Sequence, residues 1–205
     1  LQNGVTNNIS ATSISLLNPS DVEVDSLNNK LYVYDQGNHR VLVYNLNGND
    51  TLVDSTADFV LGQESLDTFV NCGDLGVTSS NFCGGGLAID PDTQTLFVTD
   101  SERNRILLFD VTSISNGESA FGVIGQVNFT DTTLAAPPTQ SSVRSTNIDY
   151  DSENNRIFVS DYLDSRVLVM DYDKDTFVDG QNFDLVLGPN DFVTSGNCSV
   201  VDAFN

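Results

Sequence analysis

The chain has 205 residues, 39% of them hydrophobic and 18% charged, a balance that supports a globular core and argues against disorder. Lys plus Arg number 8 against 29 Asp plus Glu, and the resulting formal charge of -21 excludes nucleic acid and anionic lipid surfaces as natural partners. No run approaches the roughly 18 apolar residues of a membrane-spanning helix.

Residues 1–20 read as a connection. They open at Leu1 rather than Met and lack both a basic stretch and an apolar signal core, which points to a processed chain or a fragment. The first strand signal is VEVD, ending at Asp25, followed by the turn residues SLNN and by LYVYD, ending at Asp35. Turn residues Gln36 to His39 lead into VLVYN, and FVLG closes the group at Gly62. After a long connection, Gln63 to Gly85, the series repeats as LAID, LFVTD, ILLFD and GVIG. It repeats again as IDYD, IFVSD, VLVMD and LVLG, closing at Gly188. These segments alternate in period two and are rich in β-branched and aromatic residues, so each reads as a strand.

The spacings are nearly rigid. Asp25, Asp90 and Asp151 precede Asp35, Asp100 and Asp161 by ten positions, and each of the latter precedes an Arg by five: Arg40, Arg105 and Arg166. A Gly follows the second Asp by 25 to 27 residues, at Gly62, Gly125 and Gly188. Three matched units of four short antiparallel strands describe an all-β fold of three β-propeller blades, half or part of a larger propeller or propeller-like assembly. The blades occupy about 21–63, 86–126 and 147–188, with 1–20 and 189–205 as inter-blade connections. Asp35/Arg40, Asp100/Arg105 and Asp161/Arg166 then become cross-strand pairs on one face of a hairpin. A catalytic constellation normally occurs once per molecule, so pairs present in every unit are assigned to the repeat's structure.

The stretch LYVYDQGNHRVLVYN resembles an NHL repeat, with its apolar-x-Val-x-Asp strand, a turn containing Asn and an Arg-led second strand. The resemblance covers all three units, roughly residues 21 to 188, and implies a propeller, commonly of six blades, whose first strands line the central channel. The equivalent Asp residues stand 65 and 61 positions apart, longer than the family's usual period, and the excess lies in the connections. His39 occupies the turn position that gives the family part of its name. As the only His in the chain it reads as a turn residue.

Cys72 and Cys83 bracket the connection NCGDLGVTSSNFC, where a disulfide would stabilise by about 3 kcal/mol through chain entropy. Two Cys at this spacing and one His do not make a four-ligand zinc site. Cys198 lies ten residues after Gly188, as Cys72 lies ten after Gly62, so its partner is expected beyond the chain or on another molecule. Both ends are therefore expected to fall within the repeat pattern, leaving outer blades whose apolar faces need a cover. Sequons at Asn8, Asn49, Asn128 and Asn197 all map to connections and are N-glycosylation candidates in an extracellular setting.

No Walker loop, dinucleotide fingerprint, nucleophile elbow or zinc helix is present, and Gly84-Gly85-Gly86 leads into a strand, where it reads as a flexible approach. No catalytic or metal residue is assigned. The leading expectation is a non-enzymatic extracellular scaffold or interaction module that self-associates, as a ring-closing dimer or a fibre, or is joined to further blades of the same polypeptide. One alternative is a metal-dependent hydrolase or lyase of the lactonase or amidating-lyase type, with calcium held by inner-strand carboxylates around Asp25, Asp90 and Asp151. A glycan- or peptide-binding propeller is the other.

Overall fold

The computed structural model describes residues 11–189 and 191–194, with the backbone alone for Ser145 and Thr146. Twelve strands form three antiparallel sheets of four, each in sequence order from inner to outer edge. Blade 1 comprises β1 (Asp21–Asp25), β2 (Lys30–Asp35), β3 (Arg40–Asn45) and β4 (Phe59–Leu61). Blade 2 comprises β5 (Leu87–Asp90), β6 (Thr95–Asp100), β7 (Arg105–Asp110) and β8 (Gly122–Ile124). Blade 3 comprises β9 (Ser145–Asp151), β10 (Arg156–Asp161), β11 (Arg166–Asp171) and β12 (Leu185–Leu187). Inner strands β1, β5 and β9 adjoin in that order. These are three blades of a β-propeller.

Turn chemistry sets each hairpin. Asn29, Gln94 and Asn155 end the first turn of each blade in the left-handed region, and His39, Asn104 and Ser165 end the second, with φ between 51° and 55°. His39 thus holds a backbone position that Asn and Ser fill in the other blades.

Alternation along the strands sends one set of side chains to each neighbouring blade. Tyr32, Tyr34, Val41, Val43 and Leu61 of blade 1 meet Leu87, Leu96, Val98, Leu107 and Phe109 of blade 2. Phe82, from the connection between them, packs at ring-centroid distances of 5.5 Å from Tyr34 and 6.0 Å from Phe109. The opposite face of blade 2, with Phe97, Ile106, Leu108 and Ile124, meets Ile148, Ile157, Val159, Leu168 and Met170 of blade 3. Full burial of one such side chain stabilises by about 1.5–3 kcal/mol, so these two seams are the main source of cohesion.

Candidate functional site

The three predicted Asp/Arg pairs stand in register across the second hairpin of each blade. In each, Arg Nε donates to Asp Oδ2 at 2.7 Å with both side chains buried. The rest of each guanidinium binds main chain. Arg40 donates to the carbonyls of Leu66 (2.6 Å), Thr12 (3.1 Å) and Ser15 (2.8 Å). Arg105 donates to those of Phe129 and Asn81. Arg166 reaches Thr139, Phe192 and Ser142. The other carboxylate oxygen of each Asp accepts a backbone N–H from the connection entering its blade: Leu17 (2.6 Å), Cys83 (2.9 Å) and Arg144 (3.1 Å). Each pair is therefore a knot that ties the connection before a blade to the connection after it. Burial raises the Asp100 and Asp161 carboxyls above the usual range, against the pull of their Arg partners.

A second recurrent clamp carries no charge. Gln63 Nε2, directly after the closing Gly of blade 1, donates to the carbonyls of Asn38, His39 and Val70. Gln126 does the same for Asn104 and Thr133. Pro189 stands at the third position and cannot.

The long connection into blade 2 is held most tightly. Cys72 and Cys83 form a disulfide with Cα atoms 5.8 Å apart. Arg103 adds bonds to Asn81 Oδ1 (2.9 Å) and to the carbonyls of Leu75 (3.0 Å) and Cys72 (3.3 Å). His39 stacks on Phe69 of the same connection with centroids 6.2 Å apart, and partial burial lowers its pKa.

Asp25, Asp90 and Asp151 are engaged in their own turns. Asp25 accepts from the Asn28 backbone (2.9 Å) and side chain (2.8 Å). Asp90 accepts from Asp92 N and from Thr93 N and Oγ1, and Asp151 from Glu153 N and from Asn154 N and Nδ2. Among the described residues no three His, Cys, Asp or Glu side chains gather to hold a metal ion.

Where the inner strands converge, Ser20, Asp21, Gln36, Gly85, Gly86, Ser101 and Asn147 line a hollow of about 310 Å³. Asp21 Oδ2 accepts the Leu87 N–H at 2.8 Å and so joins β1 to β5. The glycine run has a steric reason: Gly85 has a φ of +145°, and a Cβ there would lie 2.4 Å from the Thr99 carbonyl oxygen. Burial, with the charges of Asp21 and Asp149, raises Glu23 from 4.5 to about 7.

Asn49 and Asn128 lie exposed in connections. Their Oδ1 atoms accept from the sequon hydroxyls of Thr51 (2.8 Å) and Thr130 (2.9 Å). Asn8, Asn197 and Cys198 lie outside the described residues.

No family model matches the chain, and no curated protein does. Solved structures do. Hydrazine synthase of Kuenenia stuttgartiensis aligns over 82% of this chain and 36% of its own, at 12% identity and TM-score 0.42. Saccharomyces cerevisiae Sqt1 aligns over 82% and 35%, at 14% and 0.43, and a nidogen/laminin complex over 82% and 51%, at 13% and 0.40. The chain thus spans between 35% and 51% of the length of these three solved chains.

The clamps Gln63 and Gln126 and the pinning Arg103 were not singled out from sequence. The GQ pair after the fourth strand was a visible signal for the first two. Arg103 had none, because blades 1 and 3 carry Asn38 and Asp164 at its position.

Proposed function

We propose that this chain is a non-catalytic propeller scaffold of the NHL-repeat type, working in an extracellular setting and completed by further β-blades through the exposed face of blade 3. The observation that carries this reading is that face. Leu185 and Leu187 are exposed and Phe158 and Val167 half-covered, at the positions where blade 1 buries Leu61 and Tyr32 and blade 2 buries Ile124 and Phe97 under the next blade. A contiguous apolar surface of this kind on a rigid sheet marks an interaction site.

The repeated ionic groups support a structural role, since every Asp/Arg pair is buried and spends its hydrogen bonds on main chain. The disulfide-pinned connection and the exposed sequon Asn128 present themselves at the Asp/Arg end of the sheets, and the exposed sequon Asn49 at the opposite end near Ser26, each Asn carrying a glycan. The test is the native mass of the chain by sedimentation, together with its binding of the dye ANS. An assembly larger than 22.2 kDa, or a monomer that binds the dye until a blade covers it, agrees with the reading. A lone monomer that binds none overturns it.

A further inference from the structure

The outer strand of a blade has a free edge, and the structure closes that edge in one way. At mid-strand, Val60 of β4 and Val123 of β8 turn their N–H and C=O groups away from their own sheets. A turn from the following blade meets both groups. Asn116 Oδ1 accepts the Val60 N–H at 3.0 Å, and the Gly117 N–H donates to the Val60 carbonyl at 3.1 Å. Asp179 Oδ1 accepts the Val123 N–H at 2.9 Å, and the Gly180 N–H donates to the Val123 carbonyl at 3.1 Å.

The glycine is required twice over. Gly117 and Gly180 have φ of +68° and +70°, and a Cβ there would lie 3.1 Å from Glu64 Cα or 3.2 Å from Val127 Cα of the preceding blade's exit. Two residues ahead of each pair, Ile114 and Phe177 pack on the preceding blade's core, with Phe177 lying over Gly122. The clip is therefore a large apolar residue, a spacer, and an Asx-Gly pair.

Blade 3 offers the matching edge unclipped. Val186 of β12 corresponds to Val60 and Val123, and among the described residues no turn closes it. Leu185, at the position where Phe177 lands on blade 2, is 53% exposed, and Leu187 is 55% exposed beside a hollow of about 490 Å³. Blade 1 could not supply the clip from a second copy. At the same offset before its fourth strand it carries Val53-Asp54 preceded by Thr51, with Val in place of the Asx acceptor, Asp in place of the glycine and Thr in place of the large apolar anchor. The outer part of its own free face is moreover covered, Leu42 and Val60 being 0% exposed, while Val22 and Val24 of the inner strand on that face stand 57% and 48% exposed.

Resting on the scaffold reading above, we propose that the open face of blade 3 selects its partner: it takes a further blade of this repeat bearing the apolar-x-Asx-Gly clip, and it does not take blade 1 of a second copy. Growth by head-to-tail addition of identical chains is thereby closed off.

The experiment reads the Val186 amide by hydrogen exchange in the full chain, extended after Asn205 by a flexible linker and a second copy of residues 147–188. Relative to the unextended chain, its protection is expected to rise at least about tenfold, toward that of Val60 and Val123. The same extension with Asp179→Val and Gly180→Asp in the appended copy, which imitates blade 1, is expected to leave it unprotected. Equal protection by both extensions overturns the clip while leaving the scaffold reading intact. No protection and unchanged ANS binding with either overturns both. A second measurement does not depend on the appended blade folding: Asn116→Val with Gly117→Asp in the unextended chain is expected to expose the Val60 amide and spare that of Val123. Undiminished Val60 protection, or concentration-dependent protection of Val186 in the unextended chain, overturns the proposal.

Discussion

Arg105→Met removes the centre of one knot at nearly constant volume. The wild-type guanidinium is 0% exposed, paired at 2.7 Å with an Asp100 that is equally buried, and it donates to the Asn81 and Phe129 carbonyls. Removing it strands the Asp100 carboxylate in the interior, with the Cys83 N–H at 2.9 Å and the Arg103 guanidinium at 3.6 Å as its remaining support. Breaking a buried pair on one side costs about 3–5 kcal/mol, a large share of the roughly 5–15 kcal/mol that holds a domain folded. The exposed pair Arg156–Asp171, at 2.6 Å, is the control, and Arg156→Met should cost about 0–1 kcal/mol. Urea unfolding of both variants under oxidising conditions measures the difference. Adding Asp100→Asn to Arg105→Met should restore part of the loss, because the uncompensated charge goes with it. Equal losses for Arg105→Met and Arg156→Met, or a loss under about 1 kcal/mol for the former, would refute the assignment.

The other expectations concern single groups. Glu23, raised from 4.5 to about 7, is harder to ionise in the folded chain than in the unfolded one, so it opposes folding above pH 7 and that cost fades as pH falls toward 4.5. Glu23→Gln should flatten stability across this window and add about 1 kcal/mol at pH 8, discounted for partial exposure, as read from denaturation midpoints at a series of pH values. Reducing Cys72–Cys83, or replacing both by Ala, should cost about 3 kcal/mol, and the two treatments should agree in urea titrations. Gly85→Ala, which forces a methyl against the Thr99 carbonyl at a φ of +145°, should cost about 1–3 kcal/mol, whereas Gly48→Ala, with nothing within 4 Å, should stay within about 0.5 kcal/mol by thermal unfolding. Secretory expression should attach glycans at Asn49 and Asn128, each Asn→Gln variant removing one glycosidase-sensitive mass step; a chain insensitive to glycosidase would contradict the extracellular reading.

The Asp/Arg pairs were legible as cross-strand partners because a ten-then-five spacing places them opposite each other on a hairpin of known period. Their work as knots was not legible, since the acceptors are carbonyls of residues as different as Leu66, Thr12, Asn81 and Ser142, and a carbonyl has no residue-type signature. The Asx-Gly clips left a visible trace as NG and DG dipeptides seven residues before Val123 and Val186. A comparison restricted to features shared by all three units passes over them, because blade 1 carries Val53-Asp54 there.

Period-two strands, turn residues and repeat spacing, all local properties of the backbone and its side-chain alternation, were enough to establish three four-stranded sheets. Which sheet faces are covered was decided only in the folded chain. LFVTD and IFVSD follow the same pattern, yet β6 is buried along its whole length while β10 alternates between buried and half-exposed residues. Blade 2 has a neighbour on each side, whereas the far face of blade 3 is open, and burial belongs to the pair of sheets in contact rather than to either strand alone.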